Sequence, residues 1–275
     1  CLQGKKGLLI SGLLMSKPKT PSGFILVPDF VSASEEAALV KLLLRKDAPI
    51  LQKAHLKFSN TQQQEYGPQI SDAMERVKNG SRVPIPKLCM ALARRVAAEA
   101  EHRGFANSVK LVDAESAFLR VNHYYKAGGG YMHKHMDSTK TFGPIIACCS
   151  LLGDASMTFY DTRGNSYGMA KVHDMAEIQI PRRSLYFMTG SARNQWQHGI
   201  RKDQCQQERL SLTFRAVLED APTTTAMATA IQRKKRQLTG GIDSGHKKRP
   251  SPAITERLSK RPATSVTIKK QTKTS

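Results

Sequence analysis

Arg209-Leu210-Ser211-Leu212-Thr213-Phe214-Arg215 alternates polar and apolar side chains without a break. Successive residues of an extended strand point to opposite faces, so Leu210, Leu212 and Phe214 define one apolar face. Arg209, Ser211, Thr213 and Arg215 define the other. If that second face turns inward, the two guanidinium groups start from Cα atoms roughly 20 Å apart, at about 3.3 Å per residue. Their long side chains can then converge on a small dianion between them. Buried arginines are costly unless paired, and a dicarboxylate supplies planar bidentate partners. The plain alternative is a surface strand with hydrated arginines.

Working outward, the same β-rich texture recurs upstream at Ala117–Tyr125, Ile145–Leu152, Ser156–Tyr160, Val172–Ile180 and Ser184–Thr189. Gly, Asp and Asn separate these runs, as expected of strands joined by turns. Together with Arg209–Leu218 they make six strands. A short apolar strand, Gly23 to Val27, closes at Pro28. Ser32 with Glu35 forms a capping-box pattern, and Leu39, Leu42 and Leu43 fall on one face of a helix over 34–45. Pro86 suits a first helical turn. Leu88, Leu92 and Val96 then stripe a second helix that runs to about His102 and stops at Gly104. Residues 50–82 are polar and show no period. The pattern predicts an α+β fold, mainly β: a double-sheet core with the N-terminal helices packed outside.

Composition narrows the function classes. The 275 residues carry 43 Lys and Arg against 22 Asp and Glu, a formal +21, and 40% are hydrophobic, enough for a real core. No apolar run is long enough to cross a membrane as a helix, so no membrane partner is expected. Five cysteines (Cys1, Cys89, Cys148, Cys149 and Cys205) include no CxxC pair, which argues against a zinc finger and for a reducing compartment. Residues 231–275 hold 13 of the basic residues and only 2 acidic ones. Three segments follow: an unstructured 1–20, a folded domain over 21–220 and a disordered basic tail over 221–275. Within the tail, Arg233-Lys234-Lys235-Arg236 and Lys247-Lys248-Arg249 read as a bipartite nuclear-localisation signal or as a nucleic-acid-binding arm. Nuclear or cytoplasmic residence is the corresponding expectation.

Three stretches carry the chemistry. Asn122-His123-Tyr124 precedes a Gly-rich turn and His135-Met136-Asp137; Trp196-Gln197-His198-Gly199 comes later; the arginine strand closes the set. Residues two apart on a strand share a side, so the His135 imidazole and the Asp137 carboxylate can bind one ion. His198 would complete a two-His, one-carboxylate face with open positions, the arrangement suited to non-haem Fe(II). Asn122 and Tyr124 share parity and offer an amide and a phenol to carboxylate oxygens. Trp196 is expected to pack the strand of His198, and Cys148 and Cys149 to be buried core residues. Tyr131 and the 125–133 loop are candidates for the substrate mouth.

In order along the chain, Asn-x-Tyr, HxD, a later His and an Arg-x5-Arg strand ending Ser-Leu-Thr-Phe-Arg resemble the AlkB family of Fe(II)/2-oxoglutarate dioxygenases. The resemblance covers roughly 23–218. Gly23 to Val40, Gln64-Glu65-Tyr66-Gly67-Pro68 and the run from Thr189 to Trp196 look most like AlkB homologue four within it. It implies a double-stranded β-helix (jelly-roll, cupin-like) core and the cofactors Fe(II), 2-oxoglutarate and O2. By position it implies His135, Asp137 and His198 as iron ligands and as the catalytic centre. Arg209 would pair with the far carboxylate of 2-oxoglutarate, Arg215 would lie near the iron-side carboxylate, and Asn122 and Tyr124 would hydrogen-bond the cosubstrate. The implied reaction is oxidative N-demethylation of a methylated protein lysine or a methylated nucleobase. Two departures stand out. His133-Lys134-His135 is a competing ligand pair, set aside because a carboxylate is the expected third ligand type. Ser138, Thr139 and Lys140 follow the HxD where the DNA-repair members carry acidic residues. The alternatives are a nucleic-acid-binding relative that has lost catalysis, and a hydroxylase that leaves its product oxygenated.

Overall fold

A computed structural model describes residues 20–48, 61–70, 77–125 and 129–223. The N-terminal segment 1–19 and the basic clusters beyond 223 lie outside the described residues. In chain order the elements are β1 (Phe24–Val27), α1 (Ala33–Leu43), β2 (Gln62–Ile70), β3 (Val77–Val83) and α2 (Lys87–His102). Then come β4 (Ala117–Tyr124), β5 (Met132–His135), β6 (Ile146–Leu151), β7 (Ala155–Asp161) and β8 (Asp174–Ile180). The last are β9 (Leu185–Met188), the short α3 (Gly190–Asn194), β10 (Trp196–Ile200) and β11 (Arg209–Ala216).

The strands form two antiparallel sheets. The larger has the order β1-β9-β6-β11-β4-β2-β3 and the smaller β5-β10-β7-β8. Every residue of β11 is buried, because it lies centrally between β4 and β6. Leu210, Leu212 and Phe214 face outward from the larger sheet into a cluster shared with Leu39 and Leu43 of α1 and Leu92 and Val96 of α2. The helices therefore cover the outer face of that sheet, as their apolar stripes require. The opposite faces enclose a second cluster between the sheets that includes Phe118, Phe142, Phe159, Tyr186 and Trp196. Burial of the five is worth about 1.5–3 kcal/mol each.

The local signal holds at the start of α1, while α2 begins at Lys87 directly after Pro86 without a side-chain cap. Ser32 caps α1, its side chain accepting from the Glu35 amide while Glu35 returns the bond. Glu36, one residue on, is buried and accepts from the Leu152 amide at 2.7 Å and from Arg182, which ties α1 to the β8–β9 turn.

The expectation of six strands after the helices is short of what forms. β2 and β3 fall in the polar stretch that showed no period, while β5 and β10, the strands on which His135 and His198 were placed, were not among the six counted. In β2, Gln64 donates to the Leu43 carbonyl at 2.7 Å and accepts from the Tyr66 hydroxyl at 2.8 Å, so a polar sequence is buried on its own hydrogen bonds. β5 and β10, four and five residues long, carry the candidate ligands His135 and His198. Gly199 lets them meet: a Cβ there would lie 2.8 Å from the Lys134 nitrogen and 2.9 Å from the Met132 oxygen.

Candidate metal and cosubstrate site

His135 ends β5 and His198 sits in β10, and the two are direct antiparallel partners beside a register shift. Their ring centroids are 4.5 Å apart. Asp137 follows two residues after His135, and the three ligand atoms lie within 4.8 Å of one another. His133 is not part of this group; it is exposed, and its carbonyl oxygen faces His135 Nδ1 at 2.9 Å. A carbonyl only accepts, so Nδ1 carries the proton and Nε2 keeps its lone pair.

Electrostatics keep all three residues in metal-binding form. Burial lowers His135 and pushes His198 down to about 3, the neighbouring His135 adding to the effect on His198. Both imidazoles are thus neutral at physiological pH. Burial alone would raise the Asp137 carboxyl, but Arg215, the imidazoles and Arg193 together hold it well below the usual carboxylate range. One oxygen, Oδ1, accepts from Arg215 Nη2 at 2.8 Å, while Oδ2 is buried with no protein partner.

The arginine strand does turn inward. Arg209 is 1% exposed, donates from Nε to Ser150 Oγ at 2.9 Å, and stacks 5.0 Å from the Tyr124 ring centroid. Its Nη2 is buried without a partner, as are Nε and Nη1 of Arg215. Asn122 is buried between Gln63, which donates to its Oδ1 at 3.1 Å, and Ser211, which accepts from its Nδ2 at 3.4 Å. Burial raises the Tyr124 phenol to about 12, so it remains a hydrogen-bond donor. Buried donors without acceptors and a buried carboxylate oxygen without a donor are rare in folded proteins. A divalent cation at Asp137 Oδ2 and a diacid against the free guanidinium nitrogens would satisfy them. The residues present therefore fit Fe(II) and 2-oxoglutarate.

Other features fall where chemistry placed them, or not. Trp196 is buried in the inter-sheet cluster, and Cys148 and Cys149 lie on opposite faces of β6 in the two cores. Burial pushes the Cys149 thiol up, as an inert core residue requires. Tyr131 lines a separate groove on the smaller sheet. Sequence reasoning missed two arginines. Arg120 on β4 pairs with Glu65 of β2 in the inter-sheet space; its parity with Asn122 and Tyr124 was the available signal. Arg193 of α3 donates to the backbone oxygens of Asp137 at 2.7 Å and Ser138 at 3.0 Å. Carbonyls carry no side-chain signature, so nothing in the sequence marked that clamp.

The 2OG-Fe(II) oxygenase superfamily matches the chain over residues 23–215. Human alpha-ketoglutarate-dependent dioxygenase alkB homolog 4 is 24% identical over 215 residues, spanning 70% of this chain and 66% of that protein. The Caenorhabditis elegans DNA N6-methyl adenine demethylase is 23% identical over 199 residues, spanning 72% of this chain and 61% of that protein. The chain thus spans less than two thirds of either relative. The solved structure of OsALKBH1 aligns at 17% identity with a TM-score of 0.49, over 72% of this chain and 100% of that one.

Proposed function

Because this chain belongs to the 2OG-Fe(II) oxygenase superfamily, we propose that it is an iron- and 2-oxoglutarate-dependent dioxygenase that oxidatively removes N-methyl groups. Its substrate is a methylated nucleobase or a methylated protein lysine, and the name of the nematode relative supports the nucleobase branch. One observation carries the reading: His135, Asp137 and His198 converge within 4.8 Å beside two buried arginines with unsatisfied donors.

His135, through Nε2, with His198 and Asp137 would hold the metal. Arg209 would grip the far carboxylate of 2-oxoglutarate through Nη2, with Tyr124 packed under the guanidinium. Arg215 fixes Asp137 Oδ1 and would face the nearer carboxylate with Nη1. Asn122, already anchored by Gln63, orients polar groups along the cosubstrate. Phe142, with the Arg215 guanidinium 5.1 Å from its ring centroid, and Phe159, 6.1 Å from the His198 ring, would help exclude water from the reacting centre. When bound, iron, 2-oxoglutarate and O2 would together supply the oxidising chemistry: one oxygen atom of O2 enters succinate as CO2 leaves, and the other hydroxylates the substrate C–H bond. On an N-methyl carbon the hydroxymethyl product loses formaldehyde. The oxygenase domain over 21–220, and a nuclear or cytoplasmic address for the chain, belong to the same proposal.

Succinate formation from 2-oxoglutarate with added Fe(II), wild type against His135→Ala, tests the assignment. Equal turnover in the two proteins refutes it. Mass spectrometry of methylated oligonucleotides and methyl-lysine peptides identifies the substrate branch, and released formaldehyde separates demethylation from hydroxylation alone.

A further inference from the structure

The reverse face of the smaller sheet carries a second feature. His198 and Phe159 face each other across β10 and β7 on the inward side, so Tyr160 and its β8 partner Met175 point outward. Lys134 lies over the Tyr160 ring, with Nζ 5.4 Å from the centroid. Lys202, just past β10, lies over Tyr131 at 5.3 Å. These residues line a groove of about 590 Å³ whose wall, among the described residues, includes no carboxylate. Arg201, also in its wall, is paired with Glu177 at 3.3 Å and Asp203 at 3.1 Å, whereas the two lysines rest against ring faces. A second groove, of about 490 Å³ beside β3, makes the contrast: there Arg82 pairs with Glu115 and Lys110 with Glu219, so its charges cancel.

Apolar exposure concentrates on the same side. Met175 is 52% exposed, and Tyr167 and Met169 on the β7–β8 connection are 79% and 97% exposed. That connection is held to β10 by Gln197, which donates to the Asn165 and Tyr167 carbonyls. Clustered exposed apolar residues beside uncompensated cations mark a recognition surface.

We propose that this groove is a binding site for single-stranded nucleic acid, separate from the metal centre and on the reverse of the strands that carry its imidazoles. Two ring-and-ammonium pairs match the alternation of base and phosphate along a strand, the rings stacking with bases and the ammonium groups meeting phosphates. An acidic peptide would satisfy the lysines but leave Tyr131, Tyr160 and Met175 uncovered. Binding here needs no catalysis.

The test is fluorescence anisotropy of a labelled oligodeoxythymidylate of about 20 nucleotides with the full chain, across a salt series. Lys134→Ala with Lys202→Ala should weaken binding at least about tenfold and reduce the log–log salt slope by about 1.4, at about 0.7 per phosphate contact. Lys41→Ala with Lys87→Ala, the same charge change on α1 and α2, should stay within about twofold; equal losses in the two double variants overturn the proposal. Tyr131→Phe with Tyr160→Phe should bind like wild type, whereas the paired alanine changes should lose about tenfold or more. Full binding by the alanine pair also overturns it, as does displacement of the oligonucleotide by polyglutamate at matched charge, which reassigns the groove to an acidic protein. Repeating the assay with Asp137→Ala keeps the two readings apart, since a chain without oxygenase activity still binds if the groove assignment is right.

Discussion

Replacing Arg193 by Met tests whether the metal site is held from behind. The guanidinium makes two well-formed bonds, 2.7 Å to the Asp137 carbonyl and 3.0 Å to the Ser138 carbonyl, and a longer one of 3.4 Å to Phe142. A hydrogen bond from a charged donor contributes about 1.5–3 kcal/mol, so the two good ones together amount to roughly 3–6 kcal/mol. Methionine fills much of the volume and relieves the desolvation of a buried cation, which offsets part of that sum. A net loss of about 2–4 kcal/mol is expected in urea denaturation. The more telling quantity is metal affinity. Once its carbonyl is released, the Asp137 side chain loses its fixed direction, and loss of such a supporting contact lowers metal affinity about 10–100-fold. Titration of the apoprotein with Co(II), followed by absorption, reads this directly. A destabilised protein whose Co(II) affinity stays within about twofold of wild type would refute the reasoning, leaving Arg193 as a core residue and not a positioning one.

Arg209→Lys should raise the KM for 2-oxoglutarate by roughly 10–100-fold while kcat at saturation changes less, because an ammonium cannot reproduce the planar fork; steady-state succinate assays measure both. Gly199→Ala should cost about 1–3 kcal/mol and weaken Co(II) binding, since the new methyl pushes β5 from β10 where His135 meets His198; unchanged Co(II) binding would show that the strands absorb the methyl elsewhere. Glu36 supplies the pH dependence. Its burial tends to raise the carboxyl, but the Arg182 bonds and the Leu152 amide outweigh this and lower it from 4.5. A depressed carboxyl contributes stability above its unfolded pKa and loses it as pH falls through the folded value. Denaturation midpoints of the wild type should therefore fall more steeply below about pH 4.5 than those of Glu36→Gln; parallel curves would contradict the assignment.

The strands readable in advance were those with one clear apolar face, whether it packs against the helices, as in β11, or between the sheets, as in β7 and β8. Leu210, Leu212 and Phe214 announce β11, and Leu39 with Leu43 announces the face of α1, because period and burial coincide there. β2 was illegible for the opposite reason. Gln63 and Glu65 point into the polar space between the sheets while Gln64 is buried on the other side by bonds to Leu43 and Tyr66, so hydropathy shows no alternation. The inward turn of Arg209 and Arg215 was one of two readings open to a single strand. Only a second sheet laid across it, with Asp137 delivered to Arg215, decides between them.

From the sequence alone came the residue types and the order of the chemistry: two imidazoles and a carboxylate, a later arginine strand, and a first helix that begins where its cap says. Local hydrogen bonding and side-chain period act over a few residues, so they are legible in one dimension. The tertiary structure alone decided that β5 meets β10 at Gly199, that Arg193 reaches three backbone carbonyls, and that Arg120 pairs with Glu65 beside the site. Those contacts join segments far apart in the chain and often involve backbone atoms that every residue shares. No pattern of side chains records them until the sheets close.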